Sequence, residues 1–335
     1  MHVLKATMAV FVLTATPVLA ADQTAQVNPN MPAWAYLGAL QSVNIQGQPV
    51  AAPPPDPTPR RVPNSTLTFT DAQIRDSSLV VDWHPDDHPP APDIVTKGAP
   101  GVMACGFCHM PHGHGRPANA SLAGLPEDYI IRQFAEWKSD RRVSSAPDAP
   151  APKIMRNLAK LATDEQVRAA AAFFANVPYK PWIRVVETMT VPKVKISGAM
   201  YVAVEGAPKE PIAQRIVEMP EDETLANLSD TRSGFVAYVP PRSLKRGEII
   251  ATTGVLTGNK GKVAPCTACH GLDLRGLGPV PAIAGRSPSY MVRQLYDLQQ
   301  GHRAGLWAPL MKKVVEKMDT ADMVAVAAYV AAQHP

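Results

Sequence analysis

Apolar positions along the chain fall into helical stripes, short alternating stretches and long runs without a period. After Asp319, Met323, Val326, Ala327 and Val330 recur at helical spacing. Val167, Ala170, Ala171 and Phe174 make a similar stripe behind Thr163, and Thr163-x-x-Gln166 is a capping box. Ser287-Pro288 predicts another helix start, with serine as cap and proline in the first turn, leading through Tyr290, Gln294 and Leu298. Ser243 to Gly254 can form one more helix. Arg184 to Val194 and Ala199 to Val204 alternate or run apolar with β-branched residues, which predicts strands. Glu218 to Glu223 reads as an acidic turn. Upstream, Leu67-Thr68-Phe69-Thr70 and Leu79-Val80-Val81 predict short strands, and Ala51-Ala52-Pro53-Pro54-Pro55-Asp56-Pro57 predicts extended chain.

The first residues have the pattern of an export signal. Met1 to Lys5 is weakly basic, Ala6 to Leu19 is apolar but short for a bilayer, and Val18-Leu19-Ala20 suits cleavage near Ala20. No twin-arginine pair is present, so the general export route is expected. A periplasmic protein follows from this reading. The alternative is an uncleaved anchor. The 35 prolines among 335 residues imply much irregular chain between compact parts. A formal charge of +4 is too small to argue for nucleic acid as a partner.

Chemistry enters with the cysteines. All four lie in two motifs, Cys105-Gly106-Phe107-Cys108-His109 and Cys266-Thr267-Ala268-Cys269-His270. C-x-x-C-H is the signature of covalent haem attachment. Two thiols one helical turn apart can add to the two vinyl groups on one porphyrin edge, and the next histidine can ligate iron. A zinc ribbon would need its two pairs separated by about 15–20 residues. Here Cys108 and Cys266 are far too distant. A thioredoxin-like pair or structural disulfides would not require histidine after each motif. Two covalently attached haem c groups are therefore expected.

Laying Cys105 on Cys266 gives an offset of 161 residues, at which further positions agree. Leu122-Ala123-Gly124 meets Ile283-Ala284-Gly285. Tyr129-Ile130-Ile131-Arg132-Gln133-Phe134 meets Tyr290-Met291-Val292-Arg293-Gln294-Leu295, and Arg142 meets Arg303. After a short insertion in the first copy, Pro152-Lys153-Ile154-Met155 answers Pro309-Leu310-Met311. The chain thus contains one small helical unit built twice.

This order of motifs resembles the class I cytochrome c family, and the doubling resembles its two-domain di-haem members, the c-four type. The resemblance covers about half the chain. It implies a mainly α fold: two cytochrome c-type haem domains in tandem, at residues 96–180 and 243–335. A signal peptide at 1–20, an irregular proline-rich extension at 21–95 and a partly β inter-domain segment at 181–242 complete the expected organisation. Ala99-Pro100-Gly101 interrupts the stretch where the first copy would place its leading helix.

The family implies low-spin haem with histidine and methionine ligands, and electron transfer. Cys105, Cys108, Cys266 and Cys269 are then the covalent haem attachments. His109 and His270 are the proximal iron ligands, with Met155 and Met311 as the repeat-consistent distal ones. Met318, Met291 and Met110 remain alternatives. His112, His114 and His302 read as surface positions or partners of a haem carboxylate. The loop Trp83-His84-Pro85-Asp86-Asp87-His88 reads as plain surface rather than a metal site. Arg132, Arg293, Arg142 and Arg303 are either donors near the haem or part of a solvated helix face. Tyr129 and Tyr290 read as packing residues that also use their hydroxyls. Gly124 and Gly285 read as positions of close approach or positive φ.

Three functions fit this pattern. One is an electron carrier with redox partner proteins as donor and acceptor. Another is a cytochrome subunit associated with a membrane or a dehydrogenase complex. The third, a di-haem peroxidase-like enzyme, would need an open iron, which two methionine ligands argue against.

Overall fold

The computed structural model describes residues 30–37 and 54–335. The expected export signal and Ala51 to Pro53 lie outside the described residues. Pro32–Pro335 form one compact unit. A single 3-10 turn at Ala33–Ala35 opens it. Two four-residue helices, α1 (Asp71–Ile74) and α2 (Asp93–Thr96), precede the first motif, which forms α3 (Cys105–His109). Helices α4 (Glu127–Lys138), α5 (Pro150–Leu161) and α6 (Asp164–Asn176) complete the first copy.

Seven strands follow: β1 (Ile183–Glu187), β2 (Thr190–Val191), β3 (Val194–Ser197), β4 (Met200–Ala203), β5 (Glu210–Pro211), β6 (Val217–Pro220) and β7 (Phe235–Val239). Helix α7 (Glu223–Asn227) lies between the last two strands. β1 pairs parallel with β7, and β6 pairs antiparallel with β7 on its other edge. β2–β5 and β3–β4 are antiparallel pairs. The second copy is α8 (Ser243–Thr253), α9 (Thr267–His270), α10 (Pro288–Gln299), α11 (Ala308–Val315) and α12 (Thr320–Ala331).

Local chemistry explains the boundaries. Thr163 accepts from the Gln166 amide and Gln166 reaches back to the Thr163 amide, a reciprocal cap at α6. Ser287 caps α10 with Pro288 at its first position. Helix α8 ends at Gly254, which has φ 72°, a conformation that glycine adopts without Cβ strain. The strands expected between Arg184 and Val204 are present. Gly124 and Gly285 both have positive φ, at 66° and 69°. Their amides donate to Phe174 O and Val330 O, each at 3.0 Å, and so tie the turn after each motif to the last helix of its copy.

Other expectations fail for identifiable reasons. Leu67–Thr70 and Leu79–Val81 form no strands. Phe69 makes only an isolated bridge to Arg60, and Thr70 with Gln73 forms a capping box that starts α1. Glu218 belongs to β6, not a turn, and is fully buried. The loop from Trp83 to His88 is divided: Trp83 and His84 are buried, whereas Pro85 and Asp86 are exposed. The Trp83 indole donates to Leu228 O at 2.7 Å, and His84 Nε2 lies 3.0 Å from Asp230 Oδ1. These bonds join the chain before the first motif to the strand-bearing stretch between the two copies, a separation in sequence that no local pattern could announce.

Candidate functional site

One cavity of about 600 Å³ is lined by Cys105, Cys108, His109 and Met155 together with Cys266, Cys269, His270 and Met311. Every residue singled out by the two motifs and the methionine repeat therefore faces the same space. Its wall is mostly aliphatic and aromatic, including Leu125, Phe134, Phe174, Leu295 and Val326. Each cysteine pair spans one helical turn, and no disulfide closes either pair. Burial pushes the Cys105 and Cys266 thiols up to about 11. A raised thiol pKa disfavours the thiolate form that metal ligation uses.

The two histidines are held alike. His109 Nδ1 is 2.9 Å from Ala120 O, and His270 Nδ1 is 2.8 Å from Pro281 O. Ala120 and Pro281 correspond at the repeat offset. A carbonyl can only accept, so each Nδ1 carries the proton and Nε2 keeps the lone pair that a metal could take. Burial pulls both imidazoles below their ordinary pKa, which keeps them neutral as metal binding requires. These carbonyls were not foreseen, since a backbone acceptor leaves no side-chain signature. Only their equal spacing after each histidine could have drawn attention.

Met155 sits in α5 and Met311 in α11, two helices that the spacing had not predicted; each carries a proline in its first turn. Of the alternative methionines, Met291 lines the cavity, as does Met103, whereas Met110 and Met318 do not line it.

Between the copies, the repeated polar residues interlock. Arg142 donates to Gln133 Oε1 at 2.8 Å and to Gln294 Oε1 at 2.9 Å. Arg303 donates to the same two oxygens at 2.7 and 3.3 Å. The backbones of Arg142 and Arg303 bridge each other antiparallel. Arg142 also donates to the Tyr290 hydroxyl at 3.0 Å. These side chains also line the cavity. Arg293 is not on a solvated face: it is buried, its guanidinium donating to Ala35 O and, at 2.7 Å, to Pro117 O. Arg132 donates to Pro279 O at 3.4 Å, across to the other copy.

His114 corrects the surface reading. It is buried, its ring stacks on Trp182 with centroids 5.7 Å apart, and its Nε2 accepts from the Lys180 amide at 3.1 Å. His112 keeps a buried Nδ1 without a partner. Burial drives the His114 imidazole down to about 3 and His112 well below its ordinary value. Glu218 shows the opposite shift. Burial raises its carboxyl above the usual range while Ser287 Oγ and the Ser289 amide and hydroxyl donate to Oε2. His302 is half-buried and shares a 2.8 Å hydrogen bond with Ser145 Oγ. Among the described residues, no group of three His, Cys, Asp or Glu side chains could hold a free metal ion.

No protein-family model matches the chain. It is 26% identical over 246 residues to a thiosulfate dehydrogenase electron acceptor of Thiomonas intermedia, covering 72% of this chain and 84% of that protein. It is 34% identical over 73 residues to cytochrome c-554(548) of Halomonas halodenitrificans, covering 22% of this chain and 88% of the relative. Cytochrome c4 of Stutzerimonas stutzeri is 35% identical over 81 residues, covering 22% of this chain and 39% of that one. With two C-x-x-C-H motifs on one apolar cavity and these relatives, the chain belongs to the class I cytochrome c family, as a di-haem member of the cytochrome c4 type carrying two covalently bound haem c groups.

Proposed function

We propose that the protein is a periplasmic electron carrier in which Cys105 and Cys108 fix one haem and Cys266 and Cys269 the other. His109 and Met155 ligate the first iron; His270 and Met311 ligate the second. Residues 96–180 and 243–335 are then the two haem domains in tandem. Haem iron supplies one-electron exchange between its ferrous and ferric states. The chain's part is to hold each imidazole in one tautomer through Ala120 O and Pro281 O, to offer a thioether sulfur, and to exclude water with apolar walls. The observation that carries this reading is the convergence of all eight residues on one cavity. A histidine and a methionine at each site would leave no iron position for a substrate, which supports a carrier rather than an enzyme.

A second reading is a cytochrome subunit that accepts electrons from a dehydrogenase. The Thiomonas intermedia relative, named as the electron acceptor of thiosulfate dehydrogenase, favours it because the likeness spans 72% of this chain. Among the described residues, no helix is long and apolar enough to cross a membrane.

Mass spectrometry of the exported holoprotein is expected to show two added haems. Met155→Ala and Met311→Ala should each remove about half of the methionine–iron absorption band and lower one reduction potential. An unchanged band in either variant would remove that residue as a ligand. Carbon monoxide binding by the native reduced protein would point to an open iron instead.

A further inference from the structure

Glu218 has no part in the electron-carrier reading, yet its setting is exceptional. It sits in β6, is 1% exposed and does not line the cavity. Its Oε2 accepts from Ser287 Oγ at 2.9 Å, from the Ser289 amide at 3.2 Å and from the Ser289 hydroxyl at 2.5 Å. Both serines are buried as well. Oε1 is buried and has no hydrogen-bond partner. One oxygen is fully served and the other is bare, an arrangement with room for one more proton.

Opposing forces act on this carboxyl. Ser287 and Ser289 stand at the N-terminus of α10, where the helix dipole and the serine donors favour the anion. The apolar interior favours the neutral acid. Burial prevails and holds the carboxyl above its usual range. The charged or titratable groups that face it are Arg293 on α10 and Tyr179 ahead of β1. The Arg293 guanidinium is already engaged by Ala35 O and Pro117 O. On β7 the register partner of Glu218 is Ala237, and Tyr201 of β4 packs with Val217 and Met219 on the other face of β6. A carboxyl balanced in this way responds to a single further charge placed nearby. Helix α10 supplies the proximity: its first residues hold Glu218, while Tyr290, Met291, Arg293 and Gln294 line the cavity. The first copy lacks this arrangement. At the repeat offset Pro126 and Asp128 stand for Ser287 and Ser289, and α4 begins without a side-chain cap.

We propose that Glu218 binds one proton each time the second copy takes up an electron and releases it when that electron leaves, so that one of the two redox sites carries a hydrogen ion with its electron. On reduction the donor protein supplies one electron to the site and solvent supplies one proton to Oε1. An O–H bond forms and the carboxylate becomes the neutral acid; oxidation reverses both changes. By linkage, the electron strengthens proton binding by the same factor as the proton strengthens electron binding. Proton affinity is therefore higher in the reduced protein than in the oxidised one. Between the two titration points the reduction potential falls as pH rises, by at most tenfold in the electron equilibrium per pH unit, about 59 mV. Outside that interval it is level. This inference rests on the electron-transfer reading.

The test is a spectroelectrochemical titration of holoprotein between about pH 5 and pH 9. One potential should follow pH with this sign, and it should be the one that Met311→Ala lowers. Glu218→Gln, whose amide keeps an oxygen for the serines but cannot titrate, should make that potential level. Ser289→Ala, a gentler change, removes a donor to the anion and should move the sloping interval up by about one pH unit. Infrared difference spectra of reduced against oxidised protein should gain a protonated-carboxyl band that shifts in D2O and is absent from Glu218→Gln. Two level potentials in the parent would overturn the proposal. So would a slope that survives Glu218→Gln, an interval unmoved by Ser289→Ala, or a slope on the potential that Met155→Ala lowers. Each of those results leaves electron transfer standing, whereas holoprotein with no reversible one-electron titration removes the electron-transfer reading itself.

Discussion

The first copy and the second share an attachment motif, a histidine anchored by a carbonyl and a methionine facing the cavity, but they are braced by different means. In the second copy the leading helix belongs to the copy itself, although Glu218 and Ala35 also reach α10 from outside. Helix α12 is buried along nearly its whole length, and α8 packs on it at Gly247. A Cβ there would stand 2.0 Å from Ala325 O and 2.6 Å from the Tyr329 side chain. The first copy has no helix answering α8. Ala99 and Val102 pair in a tight turn instead, and a small core forms around Val95, Phe173 and Phe174. Its remaining cover comes from outside the repeat: His84 on Asp230, Trp83 on Leu228, and Arg116 on Ala226 and Ser229. The chemistry of the motif is thus local, while the scaffold that shields it can be exchanged for unrelated chain.

This contrast can be broken most forcefully at Gly247. Gly247→Leu is expected to cost roughly 3 kcal/mol or more, because backbone rather than a yielding side chain blocks the space. Haem content by mass should fall in the second copy alone. Retention of both haems with an unshifted urea midpoint would show that α8 is not the brace described.

Acid should find the weakness of the first copy. His112 and His114 stay neutral when folded but take up protons near pH 6.5 when unfolded. Their folded pKa values are depressed, so the stability they contribute is present above pH 6.5 and is lost as pH falls below it. For His114 the loss is about 2 kcal/mol between pH 6.5 and 5, and His112 adds to it in the same direction. Asp273 and Arg275, both exposed, occupy these positions in the second copy. Urea midpoints at pH 7 and pH 5 should therefore converge in His114→Gln relative to the parent, and parallel pH profiles would refute this account.

The smallest effect compares Arg116 with Leu277. Arg116→Ala removes two hydrogen bonds of a half-buried cation and should cost about 2 kcal/mol. Leu277→Ala, on an exposed loop, should change stability by less than about 0.5 kcal/mol. Equal costs would mean that the inter-domain segment does not close the first copy.

The site was far more legible in the sequence than its surroundings. C-x-x-C-H carries its chemistry within five residues, and the repeat made Met155 and Met311 visible as a pair. Helix caps at Thr163 and Ser287 could be read because capping is satisfied within three residues. His84 could not be read, since its partner Asp230 is supplied 146 residues later. Glu218 looked like a turn because acidic residues cluster after it. Its burial depends on Ser287 and Ser289, which are brought to it only by tertiary packing. Leu67–Thr70 had the alternation of a strand but lacked a neighbour to pair with beyond the bridge at Phe69. Local alternation describes one edge of a sheet and says nothing about its mate.

The meeting of Arg142 with Arg303 has a consequence for origin and assembly. When a residue faces its own counterpart, the contact has the form of an isologous two-fold interface, in which one surface is complementary to itself. A seam of this kind is what two separate one-motif chains would share as a homodimer. Joining such subunits end to end preserves the seam while freeing each half to diverge, so covalent linkage here stands in for dimerisation.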